Sequence, residues 1–175
     1  TDSAIVEDGM TNDEAFKIAV RNYTELLKWA EDFKIIVNVE PHGALTNDVE
    51  FMDKLFSHFE SEYLGLNMDT GNTYIAGLDP VEYCKRFRKY LIHAHIKDVS
   101  QSLAAALRGE ETGIGSSQVP IGGGVNAENI EKVFQYLHET EWDGVVSIEC
   151  HGSVENMQAS VDFRNGVLSK VGQPA

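Results

Sequence analysis

Apolar residues recur along this chain at two alternating periods, and the alternation lays out its elements. Thr11 followed by Glu14 is a capping-box pattern. Behind it Phe16, Val20, Tyr23, Leu27 and Ala30 fall at helical spacing, which predicts a helix over residues 12–31. Ile35-Ile36-Val37-Asn38-Val39-Glu40 is a β-branched run stopped by Pro41 and Gly43. It reads as a buried strand that ends in a carboxylate. Asn47 and Glu50 open a second helix carrying Met52, Leu55, Phe56 and Phe59. Leu64-Gly65-Leu66-Asn67-Met68-Asp69 reads as a second strand, again ending in a carboxylate and followed by Gly71. Asp79-Pro80 with Glu82 is a cap followed by proline at the first helical position, and predicts a helix ending near Tyr90. Leu91-Ile92-His93-Ala94-His95-Ile96-Lys97 makes a third strand. The stretch 100–126 is a long loop broken by Gly109, Gly113, Gly115 and Gly122-Gly123-Gly124, with a short helix expected at 103–107. Asn126 caps a helix with Ile130, Val133, Phe134 and Leu137. Val145-Val146-Ser147-Ile148-Glu149 is the fourth strand, and Ser153 starts a last helix that runs to about Lys170.

Short apolar strands alternating with amphipathic helices imply an α/β fold, a parallel sheet with crossover helices. Two architectures fit this order. One is an open doubly wound sheet. The other is a (β/α) barrel, which normally takes about 250 residues and of which four strands are half. No internal repeat interrupts the rhythm, so residues 1–175 are expected to form a single domain, with 1–11 and 171–175 as loose ends.

Composition narrows the partners. The chain has 175 residues, 28 acidic against 14 basic, and a formal net charge of −14. Such a charge repels phosphates, so neither nucleic acid nor an anionic membrane surface is expected as a partner. No apolar run approaches the roughly 18 residues needed to span a bilayer. Residues 1–10 have neither the basic nor the apolar segment of a signal peptide. The two cysteines, Cys84 and Cys150, make no disulfide framework, and a cytoplasmic location is the expectation.

The strand ends carry the chemistry. Glu40, Asp69, His95 and Glu149 close four different strands, 29, 26 and 54 residues apart. In a parallel α/β sheet these ends share one edge, where sites are built. A lone strand-end carboxylate is more often a helix cap, and a lone strand histidine a hydrogen-bonded core residue. Four together, with three acids crowded on one rim, call for a cation. The oxygen-rich set suits one divalent ion, Mn²⁺ or Mg²⁺ first, with Zn²⁺ or Co²⁺ as alternatives.

Val39-Glu40-Pro41-His42-Gly43, Met68-Asp69-Thr70-Gly71-Asn72, His93-Ala94-His95-Ile96-Lys97-Asp98 and Ser147-Ile148-Glu149 together resemble the second half of the xylose isomerase-like TIM-barrel superfamily. That group contains sugar and sugar-phosphate isomerases and epimerases such as D-tagatose 3-epimerase, the inosose dehydratases, and endonuclease IV. The resemblance covers residues 13–170 and implies a TIM barrel of which this chain holds the last four βα units and one preceding helix. It implies that Glu40, Asp69, His95 and Glu149 hold one metal ion. It further implies that Glu40 and Glu149 flank the substrate carbon, one removing a proton and the other returning one, with a metal-stabilised enediolate between. Many members have His where this chain has Asn72, and the Asp-x-His pair of endonuclease IV is not visible in the 100–126 loop, which sets DNA repair aside.

The activity so implied is a metal-dependent sugar or sugar-phosphate isomerase or epimerase. The alternatives are a keto-sugar or inosose lyase or dehydratase on the same site, and a non-catalytic carbohydrate-binding or scaffold protein. The partner in each case is a small-molecule sugar or sugar derivative. His42, Asn72, His93, Lys97 and Arg108 are candidate substrate contacts. For His42 a plain loop position is the alternative, for His93 a packing role, and for Lys97 an ion pair with Asp98. Gly122-Gly123-Gly124 reads as a flexible connection ahead of a phosphate cradle. Cys150 reads as a buried small apolar residue, and His151 as a surface residue ahead of an orienter of Glu149. The first four strands of a full barrel are absent, so the chain is expected to be one piece of a longer protein. Two further arrangements would also complete the barrel: a separate N-terminal half, or a homo-oligomer of this chain.

Overall fold

The structure, a computed structural model, describes residues 9–109 and 115–171. The first helix, α1 (Asn12–Phe33), begins with the capping box formed: Thr11 Oγ1 accepts from the Glu14 N–H, and Glu14 Oε2 accepts from the Thr11 N–H at 2.9 Å. It ends where Lys34 turns left-handed, φ 55°, and returns its N–H to the Ala30 and Glu31 carbonyls. Closing that helix shortens the next strand. The Ile35 N–H is still bonded to the Ala30 carbonyl, so β1 is only Val37–Val39, and Ile35 and Ile36 are exposed rather than buried.

Helix α2 (Val49–His58) is capped by Asp48, whose Oδ1 accepts from Glu50 and Phe51; Asn47, the expected opener, closes a turn onto Gly43 instead. Strand β2 (Leu64–Asp69) is buried throughout. A six-residue helix that the pattern does not predict, α3 (Thr70–Ile75), follows at once, with Asp69 as its cap. Helix α4 (Pro80–Arg86) starts on the Asp79 cap as expected. It gives way to a 3₁₀ turn, Arg88–Tyr90, before β3 (Leu91–Ile96). Within the long loop, α5 (Gln101–Leu107) is capped by Ser100. Then come α6 (Ala127–Glu139), β4 (Val145–Ile148) and α7 (Val154–Val171).

All neighbouring strands are parallel, in the order β1-β2-β3-β4. This is the progression of a barrel wall, not the reversed order of a doubly wound sheet. A bulge at Leu66/Asn67 skips Ile92, pairing Leu66 with Leu91 but Asn67 with His93. One face of the sheet packs under the helices. Val39, Leu64, Leu66, Met68 and Leu91 meet Leu27, Met52, Leu55, Phe56, Cys84 and Phe87. Ala94 and Ile96 meet Ile130, Phe134 and Val167. On the other face, Ile36, Asn38 and Ile92 close around the space that a side chain at Gly65 would fill. By the two-residue alternation of a strand, Glu40, Asn67, Asp69, Ser147 and Glu149 share this second face. It is apolar at one end, where Ile36, Ile92 and Val145 are exposed, and polar at the C-terminal end of the strands.

Phe56 is the keystone between α2 and the 3₁₀ turn. It is fully buried, stacked on the Tyr90 ring at 4.1 Å and tilted against Phe87 at 5.9 Å. Phe56→Ala should therefore destabilise the fold by about 3–5 kcal/mol in urea unfolding; a loss below about 1 kcal/mol would show that this layer carries little of the stability.

Candidate metal centre

Parallel pairing draws the four strand ends to one place. Glu40 lies one residue past β1, Asp69 is the last residue of β2, His95 sits near the end of β3, and Glu149 lies one residue past β4. One potential ligand atom from each lies within 4.8 Å of all the others. His95 Nδ1 stands between two of the acids, 3.3 Å from Glu40 Oε1 and 3.3 Å from Glu149 Oε2. Residues far apart in the chain thus meet because the sheet is in register.

Asp69 divides its two oxygens between two tasks. Oδ1 caps α3, accepting from the N–H groups of Gly71 at 2.7 Å and Asn72 at 2.8 Å. Oδ2 is fully buried, faces the other three groups, and is paired with the Lys97 ammonium 3.1 Å away. A buried carboxylate oxygen needs a cation or donors to offset its lost hydration. One placed beside two further carboxylates and an imidazole has the chemistry of a hard-cation ligand set. The residues present therefore fit a divalent ion.

The titration behaviour follows from the crowding. Burial pushes the Asp69 carboxyl up to about 7, against the pull of the Lys97 ammonium. Burial alone would raise Glu149 as well, but hydrogen bonds from His95 and Lys97 outweigh it and hold the group well below the usual carboxylate range. Glu40 is lowered too, burial being overcome by hydrogen bonding to His95 and Asn67. Hydrogen bonds to Glu149 and Glu40 raise His95 to about 10, so the metal-free centre holds an imidazolium.

The other candidates are distributed unevenly. Lys97 is buried at the centre, its Nζ 2.6 Å from Glu149 Oε1 and 3.1 Å from Asn72 Oδ1; it pairs with these groups and not with Asp98. Asn72 is buried, with its Nδ2 unpartnered. His93 is bonded through Nε2 to Ser147 Oγ at 2.7 Å, sets its ring edge-on to His95 at 4.9 Å, and is lowered by burial. His42 is half-buried, its backbone N–H donating to Thr46 Oγ1. Arg108 is engaged elsewhere: its guanidinium lies 3.9 Å from the Tyr74 ring centroid and donates to the Tyr74 carbonyl. His151 is exposed, and Cys150 is half-buried with its Sγ near the Val119 carbonyl.

Three residues whose roles the sequence does not announce complete the centre. Asn67 donates from Nδ2 to Glu40 Oε2 at 2.9 Å. Its position, two residues before Asp69 on one strand, is the available signal. Asp98 is buried and accepts from the N–H groups of Val99, Gly122, Gly124 and Asn126 at 2.8–3.0 Å. The glycine run therefore wraps a built-in carboxylate, and those N–H groups are not a phosphate cradle. A side chain at Gly124 would collide with the Val99 carbonyl, so only glycine allows this approach. Asn126 makes no side-chain cap bond to the backbone of the helix it precedes, although its Oδ1 accepts from Asn129 Nδ2 at 3.0 Å. Asn126 Nδ2 donates to the Thr70 carbonyl at 2.9 Å, tying the ends of β2 and β3 together.

A parallel βα succession with acids and a histidine at its strand ends defines part of a (β/α) barrel wall with a ligand set on its rim. The family model for the xylose isomerase-like TIM barrel matches residues 4–166, and the chain belongs to that family. It is 26% identical over 145 residues to an inosose dehydratase of Clostridium botulinum (strain Eklund 17B / Type B), covering 79% of this chain and 48% of that protein. The chain thus spans about half the length of the curated relatives it matches. Among solved structures it resembles a D-tagatose 3-epimerase-like protein, with a TM-score of 0.75 and 19% identity over 95% of this chain and 60% of the other. It also resembles the probable 3-DHS dehydratase AsbF of Bacillus anthracis, with a TM-score of 0.70 and 21% identity over 92% and 58%. The barrel expectation holds, and the doubly wound alternative is set aside. Among the described residues no helix is long and apolar enough to cross a membrane.

A cation bound among these groups must displace protons from His95 and Asp69, whose metal-free values of about 10 and about 7 leave them wholly or partly protonated near neutrality. Uptake of Mn²⁺ at pH 7 should release about one proton or more per ion, and affinity should weaken as pH falls. Calorimetry in buffers of different ionisation enthalpy reads this directly; uptake with no proton release would exclude His95 as a ligand.

Proposed function

We propose that this chain carries the metal-binding half of an enzyme that removes a proton beside the carbonyl of a keto-sugar or inosose. The observation that carries the reading is the cluster of Glu40, Asp69, His95 and Glu149, one ligand atom each within 4.8 Å. A divalent ion held by these four would polarise the substrate carbonyl and offset the negative charge that develops on its oxygen. Glu40 and Glu149, each in contact with His95 Nδ1, supply the proton-transferring pair. Hydrogen bonding holds both below the usual carboxylate range, so each is an ionised base at pH 7. Asn67 fixes Glu40 by one oxygen and leaves the other toward the centre. His93, edge-on to His95 and half-buried, is placed to meet a substrate hydroxyl.

Two outcomes of the same proton abstraction are open to such a site. Return of a proton to the opposite face, or to the neighbouring carbon, gives an epimer or isomer. Loss of the hydroxyl β to the carbonyl, leaving as water with the abstracted proton handed on by the carboxyl group that took it up, gives an unsaturated ketone. We favour elimination, because curated relatives that match by sequence are inosose dehydratases. Epimerisation is the second reading, supported by the D-tagatose 3-epimerase-like structure. The parent molecule, on this proposal, is a full barrel. The edges of β1 and β4 and the apolar patch of Ile36, Ile92 and Val145 are where the other four βα units close it.

Incubation with a keto-sugar or inosose in deuterated water tests the reading. Deuterium should enter the carbon next to the carbonyl, and Glu149→Gln should slow this by about 100-fold or more while the fold is retained. Appearance of enone absorbance selects the dehydratase, and an epimerised hydroxyl selects the epimerase. Full exchange in both Glu40→Gln and Glu149→Gln would remove these residues from the proton transfer.

A further inference from the structure

Lys97 is a buried cation inside a ligand set for another cation. Its side chain is 5% exposed, and its Nζ contacts Glu149 Oε1 at 2.6 Å, Asp69 Oδ2 at 3.1 Å and Asn72 Oδ1 at 3.1 Å. The slot is built for it. A Cβ at Gly71 would lie 2.5 Å from the Lys97 Cγ and Cδ, so a bare glycine is what lets the stem pass. The Lys97 backbone is clamped as well, its N–H bonded to Thr70 Oγ1 at 2.9 Å and its carbonyl accepting from the same hydroxyl at 3.0 Å. The ammonium thus touches two of the four candidate ligands, and one of these contacts is with the oxygen of Asp69 that takes no part in capping α3.

We propose that Lys97 is a resident counter-cation of the metal centre, which lowers its affinity for a divalent ion and brings the loaded centre to electroneutrality. The inference rests on the metal-site reading and extends it to how tightly the site holds its ion. Three carboxylates around a divalent ion leave one negative charge, and the ammonium balances it. Like charges a few ångströms apart in a partly buried site repel strongly, so the ammonium and the incoming ion compete for Asp69 and Glu149. Lys97 acts on the ion and its ligands, not on the substrate. A centre left with that net negative charge would hold its ion more tightly and release it more slowly.

The experiment is calorimetric titration of Mn²⁺ into the 175-residue chain and its Lys97→Met variant. Metal affinity should rise at least about tenfold in the variant. The direction is diagnostic, because a lysine that merely shapes the site would, on removal, loosen the ion. Unchanged or weaker binding in a folded variant overturns the proposal. If wild type takes up no Mn²⁺ but the variant does, the proposal stands; if neither binds, the metal-site reading falls with it. Wild-type binding with no gain in the variant removes only the role of Lys97. A second variant, Lys97→Gln, keeps a polar contact and is expected to tighten Mn²⁺ in the same sense. Should either variant fail to fold without metal, refolding by added Mn²⁺ supports the exchange of one cation for the other, and failure to refold in its presence counts against it.

Discussion

Three carboxylates converge within a few ångströms at one end of a parallel sheet, and most of what surrounds them answers the repulsion that this creates. Lys97 is drawn in between Asp69 and Glu149, and His95 between Glu40 and Glu149. Asn67 holds Glu40 by its second oxygen, and two backbone N–H groups at the start of α3 hold Asp69. Each of these compensating groups comes from the same strands or their first following residues. The site and the sheet register are consequently one construction: a one-residue slip of β2 or β3 would turn Asp69 or His95 onto the helix-covered face.

A second carboxylate secures the rim. Asp98, directly after Lys97, collects four backbone N–H groups from its own loop and from the glycine-rich turn before α6. With Asn126 bonded to the Thr70 carbonyl, the ends of β2 and β3 and the loop above them form one hydrogen-bonded block. The acids of this chain therefore divide by environment. Those on the open face form the candidate cation site, and Asp98, beyond the end of β3, is consumed by the backbone. Lys97 and Asp98 are adjacent in sequence, yet they serve different partners and do not pair with each other.

Legibility in the sequence varies with the range of the interaction. The capping box at Thr11 and Glu14 and the Asp79-Pro80 start are local, and both form as the spacing requires. Helix α3 leaves no signal in the pattern, because Thr70-Gly71-Asn72-Thr73 has weak helical propensity and no apolar stripe; it exists because Asp69 caps it and the strand end buries it. The start of β1 is shorter than its composition suggests: Ile35 and Ile36 are β-branched, yet the chain there is still closing α1. Asn126 has the residue type of a cap, but its Nδ2 is held by the Thr70 carbonyl and its Oδ1 accepts from the Asn129 side chain instead of the helix N–H groups. Arg108 has the charge of a substrate contact but is taken by the Tyr74 ring and carbonyl, contacts that no spacing announces.

What the sequence determined by itself was the succession of strands and helices and the identity of the strand-end residues, because periodicity and caps act over a few positions and parallel sheets gather strand ends at one edge. What the tertiary structure decided was which oxygen faces which neighbour. Asp69 gives Oδ1 to the backbone and keeps Oδ2 for the centre, Asp98 is spent on the glycine turn, and Lys97 enters the candidate metal centre instead of pairing at the rim. These choices depend on distances between strands and loops far apart in the chain. They are settled only when burial removes water as the competing partner and each polar atom must find another in its place.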